Sequence, residues 1–237
     1  MNGDYFLQTL SIGSVEQFID EQEQVLLQSR VDGLLAQGRR ISYDARARGR
    51  SIHEVEGLSL AETVAAYLPA SRVELDDLPE DVTRVLDSAF VRSLDQIRVS
   101  LPCAAAISNW LYVEYSAGQF ISPHIDLPTN DHYGGWKVAA ISVSLNGDFD
   151  GGEFSVETCG SFDLWQAGSS GPELRPGADS HSEWFRRLRR TRWLTKPAPG
   201  TALLWGSRLT HGTLPVTRGI ARKFLGFVTA NAQPDYR

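Results

Sequence analysis

The sequence predicts a mainly β fold with α-helical additions: an antiparallel sandwich or barrel preceded by a mostly helical region. Three observations predict it. After residue 100, short strand-like runs alternate with Gly, Pro, Asn and Asp turn signals. Before residue 100, apolar residues recur mostly at helical spacing. Hydrophobic residues make up 42% of the 237, enough for an ordinary core, and no apolar run reaches the ~18–20 residues of a membrane helix. The chain therefore divides into a mostly helical N-terminal region, 1–100, and a β core, 101–237, interrupted at about 158–196.

Ser14-Val15-Glu16-Gln17 fits a capping box, and Val25, Leu26, Val31, Leu34 and Leu35 follow as a helical stripe. Residues 38–52 hold five arginines and two glycines and read as a loop. Ser59-Leu60-Ala61-Glu62 opens a second helix that should stop before Pro69. Residues 79–96 predict a third, with Pro79 early and Val82, Val85, Leu86, Phe90, Leu94 and Ile97 on one face. Strands are expected at 110–115, 137–145, 153–157, 201–205 and 223–229, with turns at Asn146-Gly147 and Asp150-Gly151-Gly152. The interruption contains a Gly/Ser-rich stretch, Gly168 to Pro172, and a short expected helix, Ser182 to Arg192, with five arginines. A long insertion in a compact domain is often a lid or binding loop.

Net charge is −6, with −7 in the first hundred residues and +1 in the rest. So acidic a chain, without a strong basic face, is a poor partner for nucleic acid. Two cysteines, Cys103 and Cys159, exclude a disulfide scaffold and suggest reduced thiols. Met1 to Tyr5 carries no basic or apolar leader pattern, so we expect a cytoplasmic protein with no membrane association.

Among five histidines, His124 stands two residues from Asp126. On extended backbone both side chains share a face. A third ligand from a distant strand would complete a two-histidine, one-carboxylate set, which leaves open positions on Fe(II). His211, between two expected strands, is the best candidate. His132 falls on a loop just after the pair, His181 in the insertion, and His53 has no placed context.

Three segments, in order, resemble the prolyl-hydroxylase-like Fe(II)/2-oxoglutarate dioxygenases. They are Tyr115 to Asp126 around the ligand pair, Ile141 to Phe154 as a central strand and hairpin, and Pro199 to Trp205 followed by His211 to Gly219. The resemblance covers roughly 109–230 and implies a double-stranded β-helix, or jelly roll, with an N-terminal helical region packed on it. It implies His124, Asp126 and His211 as ligands and catalytic centre, Fe(II) as metal, 2-oxoglutarate as cosubstrate and dioxygen as oxidant. It also implies a basic residue on the last strand for the distal carboxylate, which an arginine can grip with two bonds. The family places that residue ten positions after the second histidine, where this chain has Ala221. Arg222 is the first expectation, with one extra residue in the turn; Lys223 keeps the strand parity and is the reserve. Tyr115, ahead of Tyr112 and Trp110, is expected to line the cosubstrate pocket. The implied activity converts 2-oxoglutarate to succinate while oxidising an unactivated C–H bond. The expected substrate is a small metabolite, an amino acid or natural-product intermediate, free or carrier-bound. A peptidyl prolyl-type hydroxylase and a non-catalytic metal-binding barrel are the alternatives. Halogenation is disfavoured, because Asp126 fills the position a halide would need.

Overall fold

The computed structural model describes residues 5–37, 41–42, 72–126, 135–158, 165–168, 171–174 and 191–231. Among them are α1 (Tyr5–Gln8), α2 (Glu21–Ala36), α3 (Glu80–Arg92) and α4 (Leu94–Ser100). The strands are β1 (Ile12–Val15), β2 (Ile41–Ser42), β3 (Val73–Leu75), β4 (Ala106–Ile107), β5 (Leu111–Ser116), β6 (Ile121–His124), β7 (Trp136–Ser144) and β8 (Asp150–Gly151). They continue as β9 (Phe154–Thr158), β10 (Trp165–Gly168), β11 (Gly171–Leu174), β12 (Thr191–Thr195), β13 (Ala202–Gly206), β14 (His211–Thr213), β15 (Val216–Arg218) and β16 (Ile220–Ala230). The protein is thus mainly β with few helices. No helix among the described residues is long and apolar enough to cross a membrane.

Eight strands form one sheet, ordered β1-β13-β7-β16-β5-β3-β2 with β4 also on β16. Four form a second, ordered β12-β9-β14-β6. Each strand pairing is antiparallel. The long central strand β16 has two working faces, because successive side chains point to opposite sides. One face carries Phe224 and Val228 into a core shared with Leu27 and Val31 of α2 and Leu86 and Phe90 of α3. The other turns Leu225 and Phe227 toward Phe154, Val156 and Trp205, where the two sheets meet.

The N-terminal hundred residues are less purely helical than their spacing suggests. Ser14 and Val15 do not cap a helix; they pair with Leu203 and Ala202 as edge strand β1. The helix starts later, where Asp20 and Glu23 close a reciprocal capping box. Its buried stripe is Leu27, Val31, Leu34 and Leu35, leaving Val25 and Leu26 exposed. The third expected helix is present but breaks at Ser93 into α3 and α4. β3 adds a further edge to the sheet by pairing with β5.

Later, β10 and β11 form a hairpin around the Gly/Ser-rich stretch. Thr191 and Arg192, expected to end a helix, instead open β12 on β9. There Arg192 pairs with Glu157. The expected helix after Ser59, the arginines from 186 to 190, Cys159, His53, His132 and His181 lie outside the described residues.

Candidate active site

β14 sits between β6 and β9, which sets His211 opposite His124 in the strand register and opposite Val156 on its other side. Asp126 follows just beyond the end of β6. Its Oδ2 lies 3.7 Å from His211 Nε2, and both side chains are 4% exposed. His211 Nδ1 donates to the Leu209 carbonyl over 2.9 Å. A carbonyl only accepts, so this bond places the proton on Nδ1 and turns the Nε2 lone pair toward the carboxylate. Two electron-rich atoms facing each other at 3.7 Å in a buried place suit a cation between them. The Nδ1–carbonyl bond is also the kind of outer support that fixes metal-binding imidazoles. Trp205 Nε1 donates to Asp126 Oδ2 over 3.2 Å and holds the carboxylate. Phe154 stacks on His211 with centroids 5.7 Å apart, and the Trp205 ring tilts against it at 5.0 Å. Imidazole and carboxylate donors together suit a divalent transition ion. His124 stands in β6 at the register position opposite His211.

A cavity between the sheets runs from this pair along β16. It holds about 60 Å³ of water-sized space. Asp126, His211, Trp205, Phe154, Thr213, Tyr115, Arg72 and Lys223 line it. Phe227 pairs with Ala140 at the Trp205 level, and Lys223 pairs with Ser144. Those levels are four residues apart, about 13 Å of strand.

Strand parity decides between the two basic residues. Ala221, Lys223 and Leu225 face the cavity side, and Arg222 faces the helices. Arg222 is therefore not among the residues lining this cavity, where the sequence led us to expect it ahead of Lys223. Its Nε donates to Glu114 over 3.1 Å and its Nη2 to Asp32 of α2 over 2.6 Å. Tyr112 is also on that outer face, donating to Glu114 over 2.7 Å. Trp110 lies among the helices, bonded to Asp87. In the turn before β16, Gly219 has φ 78°, and a Cβ there would press on Asp148 and Phe149.

Lys223 Nζ sits 5.0 Å from the Tyr115 ring centroid. Among the described residues no carboxylate pairs with it. Burial, with the charge of Arg72 nearby, pulls its ammonium down to about 8. Tyr115 is buried, which pushes its hydroxyl above the ordinary tyrosine range, against the opposing charge of Arg72. Arg72 Nη1 donates to the Tyr115 hydroxyl over 2.6 Å, and the Arg72 guanidinium is ion-paired with Glu74. Thr213 lines the same cavity as Tyr115. Sequence reasoning missed Arg72, Glu74, Thr213 and the role of Trp205. Arg72-Val73-Glu74-Leu75 alternates charged and apolar residues, which reads as a strand with its polar face in water; here that face points inward.

The family model of the 2OG-Fe(II) oxygenase superfamily matches residues 110–227. A comparison with curated proteins gives no match. Solved structures share the fold at low identity. A prolyl-4-hydroxylase from Pseudomonas putida is 13% identical over 95% of this chain and 96% of its own, with a TM-score of 0.57. The non-heme alpha ketoglutarate dependent epimerase SnoN from nogalamycin biosynthesis is 14% identical over 97% and 80%, with a TM-score of 0.60. The carbocyclase SnoK from the same biosynthesis is 12% identical over 97% and 84%, with a TM-score of 0.58.

Proposed function

Because the chain belongs to the 2OG-Fe(II) oxygenase superfamily, whose members are dioxygenases using Fe(II), 2-oxoglutarate and dioxygen, we propose that it oxidises an unactivated C–H bond of a small metabolite, such as an amino acid or natural-product intermediate. Bound together, those three supply an oxidation of the substrate coupled to decarboxylation of 2-oxoglutarate to succinate. We read the facing sheets as a double-stranded β-helix, with residues 101–237 as catalytic core, 1–100 as the N-terminal region and about 158–196 as its insertion.

In this reading His124, Asp126 and His211 hold the iron, and Lys223 holds the distal carboxylate of 2-oxoglutarate. One observation carries it: a single cavity has the Asp126–His211 pair at one end and a carboxylate-free lysine at the other. The 13 Å between the Trp205 and Lys223 strand levels is a span that a lysine side chain and a five-carbon dicarboxylate fill together. Tyr115 and Thr213 add hydroxyl donors beside the ammonium. Trp205 keeps the Asp126 carboxylate from swinging, and the Leu209 carbonyl keeps His211 in one tautomer. Phe154 and Trp205 exclude water around the imidazole, which strengthens each polar contact there. The burial of Asp126 and His211 favours a substrate narrow enough to enter the cavity.

The test is succinate release, with Fe(II), 2-oxoglutarate and air, over panels of free amino acids, natural-product intermediates and proline-containing peptides. Release stimulated by a small molecule is the expected outcome. Stimulation by peptides alone would replace the substrate class. A protein that binds Fe(II) but forms no anaerobic 2-oxoglutarate charge-transfer band would leave a metal-binding barrel.

A further inference from the structure

We propose that Arg72 is a positioning residue for the cosubstrate: by donating to the Tyr115 hydroxyl it commits that hydroxyl to donate its own proton into the cavity. The inference rests on the reading of Lys223 as the carboxylate anchor and extends it to a residue from the N-terminal region.

Arg72 precedes β3, and pairing of β3 with β5 carries it across the sheet edge to Tyr115. It is 5% exposed and lines the same cavity as Lys223. Its Nη1 is 2.6 Å from the Tyr115 hydroxyl, and Glu74, wholly buried beside it, holds the guanidinium in place. Proton counting then fixes the polarity. A guanidinium has donors only, so Tyr115 Oη must accept from it. Its own proton cannot return to Arg72, which has no acceptor, and Tyr115 lines the cavity. That O–H is left for an acceptor in the cavity. Lys223 Nζ stands 5.0 Å from the Tyr115 ring centroid, and the Arg72 guanidinium 5.5 Å. A carboxylate at Lys223 therefore meets an ammonium and a hydroxyl whose proton is already committed away from Arg72. With a side chain that can both donate and accept, such as glutamine, the hydroxyl can reverse and present a lone pair to the carboxylate.

The experiment is anaerobic calorimetric titration of the Fe(II)-loaded protein with 2-oxoglutarate, with thermal unfolding of each variant recorded without ligand. The variants are Arg72→Gln, Arg72→Lys, Tyr115→Phe and the Arg72→Gln/Tyr115→Phe double. Arg72→Gln should weaken binding by roughly tenfold or more, the scale of one oriented hydrogen bond to a charged group. Arg72→Lys, also a pure donor, should recover part of that affinity. In the Tyr115→Phe background, Arg72→Gln should cost nothing further, because its route to the ligand is gone. If Arg72→Gln fails to fold with Glu74 left buried, the Arg72→Gln/Glu74→Gln pair replaces it with the same expectation. Unchanged affinity on removing Arg72 overturns the proposal. So do losses that add in the double variant, which would make Arg72 a direct contact, and a fall in melting temperature with no change in affinity. A wild type that binds no 2-oxoglutarate sinks the functional reading itself. A wild type that binds, loses affinity with Lys223→Ala and ignores Arg72→Gln sinks this inference alone.

Discussion

Lys223 must be charged to hold a carboxylate, and its free-state pKa is held near 8 by burial and by Arg72. Arg72, just before β3, Tyr115 of β5, Asp126 and His211 are the other charged and titratable groups lining its cavity among the described residues, and Arg72 is the one whose charge acts on it. Below pH 8 the ammonium is present before binding. Above pH 8 binding must also take up a proton, so the 2-oxoglutarate Kd should rise about tenfold per pH unit. Calorimetry from pH 6.5 to 9.5 checks this, and a Lys223→Arg variant should flatten the profile. Lys223→Ala should abolish the affinity at every pH. Arg222→Ala should leave affinity intact and instead destabilise the fold by about 2–4 kcal/mol, since it strips a buried Glu114 of its ion pair. Urea unfolding measures that loss; weakened 2-oxoglutarate binding by Arg222→Ala would restore the opposite register. The candidate ligands could be proposed from the sequence because their neighbours carry the family pattern. That Lys223 and not Arg222 lines the cavity could not, because it depends on the register of β16, which spacing alone leaves open.

At the level of elements, most strands of the core could be placed from their alternation and turns, and the helices α2 and α3 from their stripes. The errors fall where pairing overrides local pattern. Ser14-Val15-Glu16-Gln17 has the composition of a helix start, yet the free edge of β13 recruits Ile12–Val15 as a strand. The polar face of β3 is turned inward by its pairing with β5, so its charges line a cavity where alternation suggested water. The end of β13 shows how tightly these elements fit. Gly206 donates its N–H to the Ser11 carbonyl over 2.8 Å, and a Cβ there would overlap the backbone of Thr9. Gly206→Ala should cost about 1–3 kcal/mol through forced separation of β13 from the α1–β1 connection. A melting temperature within a degree of wild type would contradict this.

For the whole molecule, the two halves read from the sequence share one core. Leu27, Val31, Leu86 and Phe90 from the first hundred residues pack against Tyr112, Ile141 and Phe224 of the sheet. Asp32 reaches Arg222, and Gln24 and Gln28 of α2 both donate to the Leu145 carbonyl. A chain beginning at residue 101 should therefore not fold by itself: it would expose that apolar face and lose three strands of the large sheet, β1, β2 and β3. Expression of 101–237, followed by size-exclusion chromatography and circular dichroism, checks this, and a soluble, cooperatively melting fragment would contradict it. The charge asymmetry between the halves, −7 against +1, is in part this docking seen in composition.

The two-faced strand β16 has a consequence for how such a chain can change over generations. Its residues alternate between a pocket that handles a ligand and a core that holds helices, and Gly219 fixes where the alternation begins. Point substitutions can drift along either face independently. Gaining or losing one codon between His211 and β16 would exchange the two faces at once, sending lysine into the core and arginine into the pocket. Descendants of this gene should therefore vary freely in letters here and hardly at all in length.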